Sequence, residues 1–274
     1  MDIQPMSARC GAEIWNVDLN RLEPEEMEAL RRSLAERGVI VIRDQTLSPE
    51  AHIAFARRWG EIDLNRFFPA DPRYPEIAEV RKEAEQKTNI GGGWHTDHSY
   101  DPVPAMGSIL LARELPPSGG DTLFASMYAA YDRLSDGLKA TLEGLRAVHS
   151  ADHIYSETGV YAATDQGATL KGRDERTYAV HPVALTHPES GRKALYVNPA
   201  FTLRFEGWTA EESRPLLGYL YAQAIAEENI CRLQWASGSV AVWDNRSTWH
   251  FAQNDYHGHR RLMHRITVAG TPLQ

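Results

Sequence analysis

The densest chemistry in the chain lies in one short run, Gly91-Gly92-Gly93-Trp94-His95-Thr96-Asp97-His98-Ser99-Tyr100. If this run is a strand, residues i and i+2 leave the same face, so His95 and Asp97 offer an imidazole nitrogen and a carboxylate oxygen to one point. Thr96 and His98 then point the other way. One more His from elsewhere would complete a two-His, one-carboxylate face, which leaves positions open on Fe(II) for a bidentate co-substrate and O2. Taken alone, His-x-acid is weak evidence in a chain with 11 His. A second copy, His187-Pro188-Glu189, reads as a surface turn because Pro188 and Gly191 bracket it. His257-Gly258-His259 likewise reads as an exposed turn. The Gly triplet is no phosphate loop, since no Lys-Ser/Thr follows it.

The C-terminal segment adds the rest of a site. Val240 to Arg246 reads as a strand running into a turn, and His250 follows shortly after. If residues 260 to 268 form a strand, parity puts Arg261, Met263, Arg265 and Thr267 on one face. Two guanidiniums on one face make a site for two separate anions, because the planar fork of Arg matches a carboxylate or sulfonate. Surface ion pairs are the plainer reading of the same two residues.

These side chains need a scaffold, and the composition supplies one. The chain has 274 residues, 42% hydrophobic and 24% charged, the balance of a folded globular protein with ample material for a core. With 29 Lys+Arg against 37 Asp+Glu, its formal charge of -8 repels phosphate backbones, so nucleic acid is not an expected partner. No apolar run reaches the ~20 residues of a membrane span. The N-terminus lacks a basic start and an apolar stretch, so a cytoplasmic location is expected. Cys10 and Cys231 are far apart in sequence and read as two free thiols.

The positioning elements fall into two textures within one expected domain, 1–274. Residues 1–76 read as a supporting layer. It holds an amphipathic helix from Leu22 to Gly38, a buried strand Val39-Ile40-Val41-Ile42, and a helix capped by Ser48. Residues 77–274 alternate short β-branched or aromatic runs with turns, which predicts a mainly β fold with flanking helices, a sandwich or jelly-roll core. The runs are 77–80, 105–112, 121–125, 178–186, 192–197, 240–243 and 262–268. Helical periodicity interrupts them at Met127–Ala147 and Ala210–Asn229. Residues 151 to 177 have no clear period, which suggests a lid or binding loop. The charged run from Arg81 to Lys87 reads as a solvated loop face. Tyr100, Tyr155, Phe201, Phe205 and Trp249 are possible pocket aromatics, although core packing is their plainer role.

Four motifs in order now carry a resemblance. Trp94-His95-Thr96-Asp97, Gly119-Gly120-Asp121-Thr122, Trp243-Asp244-Asn245-Arg246 up to His250, and Arg260-Arg261 with Arg265 together resemble the taurine dioxygenase/aryloxyalkanoate dioxygenase (TauD/TfdA) family. The resemblance covers nearly the whole chain. It implies a double-stranded β-helix, cupin-like, with Fe(II), 2-oxoglutarate as co-substrate, and O2. Residue by residue, it makes His95, Asp97 and His250 the metal ligands and catalytic centre. Thr122 and Arg261 would hold the carboxylates of 2-oxoglutarate, Arg261 at the distal end. Arg265 would hold the acidic group of a small anionic organic substrate, with Tyr100 beside it. Where the taurine enzyme has an Asn four residues before the first His, this chain has Gly91, which leaves room for something bulkier than taurine.

The implied reaction is hydroxylation of that substrate with decarboxylation of 2-oxoglutarate to succinate and CO2, with C–O or C–S cleavage when the hydroxylated carbon carries a heteroatom. Two rivals from other classes are a Zn or Mn hydrolase or isomerase on the same fold, and a non-catalytic anion-binding jelly roll. A homo-oligomer, dimer or tetramer, is also expected.

Overall fold

A computed structural model describes residues 1–171 and 176–273. In chain order the strands are β1 (Asp2–Pro5), β2 (Ala12–Trp15), β3 (Val39–Ile42), β4 (Ile62–Asp63), β5 (Ala78–Lys82), β6 (Gly107–Glu114), β7 (Thr122–Ser126) and β8 (Arg146–His149). They continue with β9 (Ala179–Pro182), β10 (Ala184–Thr186), β11 (Lys193–Leu195), β12 (Thr202–Phe205), β13 (Ile230–Leu233), β14 (Val240–Asp244), β15 (Thr248–Ala252) and β16 (Arg261–Val268). The helices are α1 (Pro24–Arg37), α2 (Pro49–Arg57), α3 (Met127–Asp132), α4 (Asp136–Leu142), α5 (Asp152–Tyr155) and α6 (Ala210–Ala224).

The largest sheet runs in the order β1-β2-β3-β14-β6-β16-β4, with β5 also paired to β16. Residues 1–76 therefore do more than support this sheet: β3 lies at its centre, paired with β14, and β1, β2 and β4 extend it. Both faces of its central strands are buried, and strand alternation sorts the side chains. Ile40, Ile42, Ile109, Leu111, Val240, Val242 and Ile266 pack outward against Met27, Leu30 and Leu34 of α1 and Phe55 of α2. Val39, Val41, Leu110, Ala241, Trp243 and Met263 pack inward against Phe124, Cys231 and Leu233 of a second sheet, β13-β7-β15. Each buried Leu or Val side chain of this kind contributes about 1.5–3 kcal/mol. The result is a two-sheet β core clad in helices, the predicted jelly roll.

Local signals explain the cladding. Glu23 and Glu26 form a reciprocal capping box at the start of α1, Pro24 opens it, and Gly38 closes it at φ 76 with its N–H on the Leu34 carbonyl. Ser48 caps α2 by accepting from the Ala51 N–H.

Two expectations change. The long helix over 127–147 breaks into α3 and α4, because the Ser135 side chain accepts from Leu138 N–H and starts a new helix; its last residues form strand β8, paired with β9 and β12. The 178–186 run likewise divides into β9 and β10. Within the 151–177 stretch, residues 172–175 lie outside the described residues. The remainder holds α5 and a 3-10 turn at Val160–Ala163. Among the described residues, no helix is long and apolar enough to cross a membrane.

Candidate active site

His250 sits in β15, the strand that pairs with β7 with His250 opposite Phe124. His95 does not lie in a strand, as parity required; it meets His250 in an isolated antiparallel bridge, and Asp97 stands at the head of a turn running to Tyr100. The bridge is reciprocal: His95 N–H donates to the His250 carbonyl at 3.1 Å, and His250 N–H to the His95 carbonyl at 2.8 Å. Alternation survives without a strand because Thr96 is pinned outward, its hydroxyl donating to the Asn245 carbonyl at 2.6 Å. His98 adopts φ 60 and bonds Asp101 through Nδ1 at 2.9 Å, away from the cluster.

The structure brings His95, Asp97 and His250 together: one donor atom from each lies within 4.8 Å of the others, and all three residues are buried. His95 Nε2 is 3.6 Å from Asp97 Oδ1, and His250 Nε2 is 3.7 Å from Oδ2. His95 Nδ1 faces the Gly93 carbonyl at 2.7 Å, and since a carbonyl only accepts, Nδ1 carries the proton and Nε2 presents its lone pair. His250 Nδ1 is buried with no hydrogen-bond partner among the described residues, its ring held between Trp243 and Phe124. Burial and the neighbouring His95 keep the His250 imidazole well below the usual histidine range, hence neutral and able to ligate. Burial alone would raise the Asp97 carboxyl, but the neighbouring Arg265 charge outweighs it and holds the group ionised. Two imidazoles and a carboxylate whose ligand atoms converge suit Fe(II) or another first-row divalent ion.

Beside this cluster the inward face of β16 carries Arg261 and Arg265, as parity predicts. Arg261 is 5% exposed, and its Nε and Nη2 have no hydrogen-bond partner among the described residues. A buried guanidinium without an acceptor is costly, so this one is built to meet an anion. Gly120 makes room for it: at φ 72, a Cβ there would stand 3.3 Å from Arg261 Cδ and Nε. Thr122, at the head of β7, lines the same cavity as Arg261, Arg265 and the three clustered residues. These observations fit the slot to an oxo acid carrying a carboxylate. Arg265 differs: Nη2 donates to Asp97 Oδ2 at 2.9 Å while Nε stays unpartnered.

The other wall is aromatic. Phe68, Ile90 and Tyr155 line the cavity, and Tyr155 stacks between Phe67 at 4.6 Å and Tyr161 at 5.8 Å. Tyr100 packs behind this wall, 4.8 Å from Phe201 and 6.5 Å from Tyr155. Phe205 and Trp249 belong to a separate core under α3 and α6. His187 and Glu189 sit on a turn as expected, yet His187 is fully buried, with Nε2 3.0 Å from Asp244 Oδ2. His257 and His259 are exposed in a turn. Lys82 corrects the solvated reading of 81–87: it lies on β5 opposite Arg261, is 2% exposed, and sets its ammonium over the Tyr256 ring. Two functional candidates went unread. Trp235 donates Nε1–H to Thr122 Oγ1 across 113 residues of sequence, and no local signal marks such a contact. Tyr161 accepts from the Gly91 N–H, again from a distant segment.

A jelly roll that gathers two histidines and an aspartate beside an anion-seeking arginine defines a metal-dependent oxygenase that uses an oxo-acid co-substrate. The chain belongs to the taurine catabolism dioxygenase TauD, TfdA family, whose model matches residues 2–267. It is 33% identical over 276 residues to the alpha-ketoglutarate-dependent sulfate ester dioxygenase of Pseudomonas putida, covering 98% of this chain and 90% of that one. It is also 33% identical over 275 residues to the (S)-phenoxypropionate/alpha-ketoglutarate-dioxygenase of Sphingobium herbicidovorans, covering 99% and 96%. A crystal structure of a taurine dioxygenase from Burkholderia xenovorans superposes with a TM-score of 0.82 at 34% identity, over 98% of this chain and 89% of that one. The protein is thus a 2-oxoglutarate-dependent dioxygenase, working with Fe(II), 2-oxoglutarate and O2.

Proposed function

We propose that the protein hydroxylates a small organic anion with an apolar body, converting substrate, 2-oxoglutarate and O2 into hydroxylated product, succinate and CO2. The observation that carries this reading is the convergence of His95, Asp97 and His250 beside Arg261, whose buried guanidinium has unpartnered nitrogens. In this reading His95, Asp97 and His250 hold the iron, and Arg261 with Thr122 holds the tail of 2-oxoglutarate. Once bound there, Fe(II) supplies the activation of O2 and the oxidative decarboxylation of the co-substrate.

The residues of the chain contribute geometry. Arg265 offers its remaining N–H groups to the acidic head of the substrate while Nη2 stays on Asp97, which sets the head at a fixed distance from the metal. Phe68, Ile90 and Tyr155 receive the apolar body and exclude water. Holding a C–H bond in place replaces a bimolecular encounter, an effect worth up to roughly 7–11 kcal/mol. Gly91, where the taurine enzyme carries a side chain, lines the pocket beside the His95 ring and leaves room for a substrate larger than taurine. Sulfonates, sulfate esters and aryloxy acids share this chemistry, and those with an ether or ester oxygen on the hydroxylated carbon fragment after hydroxylation. A hydrolytic metal site has no use for a second anion clamp at Arg261, which disfavours the hydrolase reading. Free thiols at Cys10 and Cys231 suit the reducing cytosol as its compartment.

The test is a succinate-release screen of small anionic compounds on the Fe(II)-loaded protein, with Arg265→Ala alongside. Substrate-stimulated succinate that falls at least about 100-fold in the variant supports the reading. Equal stimulation of both proteins removes Arg265 from the substrate, and no succinate with any compound removes the reaction.

A further inference from the structure

Trp235 touches both residues read as holding the tail of 2-oxoglutarate. Its Nε1–H donates to Thr122 Oγ1 at 3.0 Å, and the Arg261 guanidinium carbon lies 5.7 Å from its ring centroid. Thr122 is 4% exposed and lines the cavity. A threonine hydroxyl has one proton and two lone pairs, whereas an indole N–H can only donate. The contact therefore has one polarity: the indole occupies a lone pair of Oγ1, and the hydroxyl proton must point elsewhere. Among the described residues Thr122 Oγ1 donates to no protein acceptor, so its proton is available to the cavity. A carboxylate there accepts only, and the pre-set donor matches it.

The loop that carries Trp235 is itself held. Arg43 donates Nη1 to the Gln234 carbonyl at 2.9 Å and to Ser239 Oγ at 2.8 Å, while the Gly238 carbonyl accepts from Gln45 N–H at 2.9 Å. Arg43 is in turn paired with Glu13. The indole thus arrives from a braced turn between β13 and β14, not from a mobile loop end.

We propose that Trp235 is a positioning residue for the co-substrate: it orients the Thr122 hydroxyl as a donor toward the distal carboxylate of 2-oxoglutarate and lays its ring beside Arg261. This rests on the placement of that carboxylate between Thr122 and Arg261 given above. The contribution is specific to keto acids with a second carboxylate, because the indole contacts neither the clustered histidines nor Asp97.

The experiment is calorimetric titration of the Mn(II)-loaded protein with 2-oxoglutarate and, in parallel, with 2-oxobutyrate, which has the same keto-acid head and no distal carboxylate. Trp235→Phe keeps an aromatic ring and removes the donor. It should weaken 2-oxoglutarate about tenfold, the scale of one hydrogen bond to a charged group, and leave 2-oxobutyrate unchanged. Thr122→Val should also weaken 2-oxoglutarate, Thr122→Ser should retain most of the binding, and the Trp235→Phe/Thr122→Val double variant should bind no worse than Thr122→Val alone. Unchanged 2-oxoglutarate binding in Trp235→Phe, equal weakening of both keto acids, or additive losses in the double variant would overturn the proposal while leaving the carboxylate where it was placed. If Thr122→Val binds 2-oxoglutarate as tightly as the parent, the placement itself fails, and the role of Trp235 with it.

Discussion

Arg265 and Asp97 form a buried ion pair, Nη2 to Oδ2 at 2.9 Å, so the arginine read as a substrate clamp is bonded to a carboxylate of the metal-binding cluster. In the proposed reading, one side chain would therefore touch both a carboxylate that holds the iron and the acidic head of the substrate. Removing one partner of a buried pair strands the other charge and costs about 3–5 kcal/mol. Arg265→Ala should lower the unfolding free energy of the metal-free protein on that scale. A divalent cation replaces the missing positive charge, so saturating Mn(II) should shrink the difference between parent and variant. Denaturant unfolding with and without Mn(II) checks this, and an equal loss in both states would show that the pair does not govern the carboxylate.

Gly91 borders the His95 ring at φ 80, and a Cβ there would stand 3.3 Å from Cε1 and 3.7 Å from Nε2. Gly91→Ala combines left-handed strain, about 1 kcal/mol, with crowding of the nitrogen that faces the cluster. Metal affinity should fall about tenfold with a small loss of stability. A competition titration against a coloured chelator reads the first, and thermal unfolding the second. Unaltered affinity would mean that the ring moves aside freely.

His52 and His149 are buried, and burial, more than any neighbouring charge, depresses each imidazole to about 3. The unfolded chain binds their protons below about pH 6.5 while the folded chain does not. Stability is therefore fully present above pH 6.5 and falls as the pH drops toward 3, with a slope of about 1.4 kcal/mol per pH unit for each histidine. Urea unfolding between pH 7 and pH 4 should show this slope, and His52→Gln should flatten it by about one proton. A variant with the parent's slope would show that His52 is protonated in the fold.

Cys10 and Cys231 lie side by side as free thiols, Sγ to Sγ 3.2 Å, although 221 residues separate them. Diamide should convert them to one intramolecular disulfide: two S–H bonds break, one S–S bond forms, and the oxidant takes up both hydrogens. The intact protein should lose the mass of two hydrogens, stay monomeric on a non-reducing denaturing gel, and gain up to about 5 kcal/mol of stability from the long closed loop. Cys231→Ser should show none of this. Disulfide-linked dimers in the parent would contradict the internal pairing.

The parts of the molecule that could be read in advance share one property: their signal is local. The alternation of Arg261, Met263, Arg265 and Thr267 predicted the inward face of β16, and the helix expected from Leu22 to Gly38 is α1, Pro24–Arg37. What escaped depends on distant partners. Leu134, Leu138, Leu142 and Leu145 mimic one helix, but Ser135 restarts the chain and pairing with β9 and β12 draws residues 146–149 into a sheet. Lys82 sits in a charged run and looks solvated until β16 and Tyr256 cover it. The Trp235–Thr122 contact and the Cys10–Cys231 pair join segments that only the sheet topology brings together. The two-His, one-carboxylate pattern was legible because the resemblance spans four motifs in order, whereas its geometry rests on a two-residue bridge that no period announces.

That bridge fixes the distance between the His95 and His250 backbones through two reciprocal hydrogen bonds between peptide groups instead of through the ion they would share. Apoprotein should consequently keep its imidazoles poised, and uptake of the ion should proceed at the speed of ligand exchange and not of chain rearrangement. Surrounding loops could then diverge to suit new substrates without disturbing the chemistry at their centre.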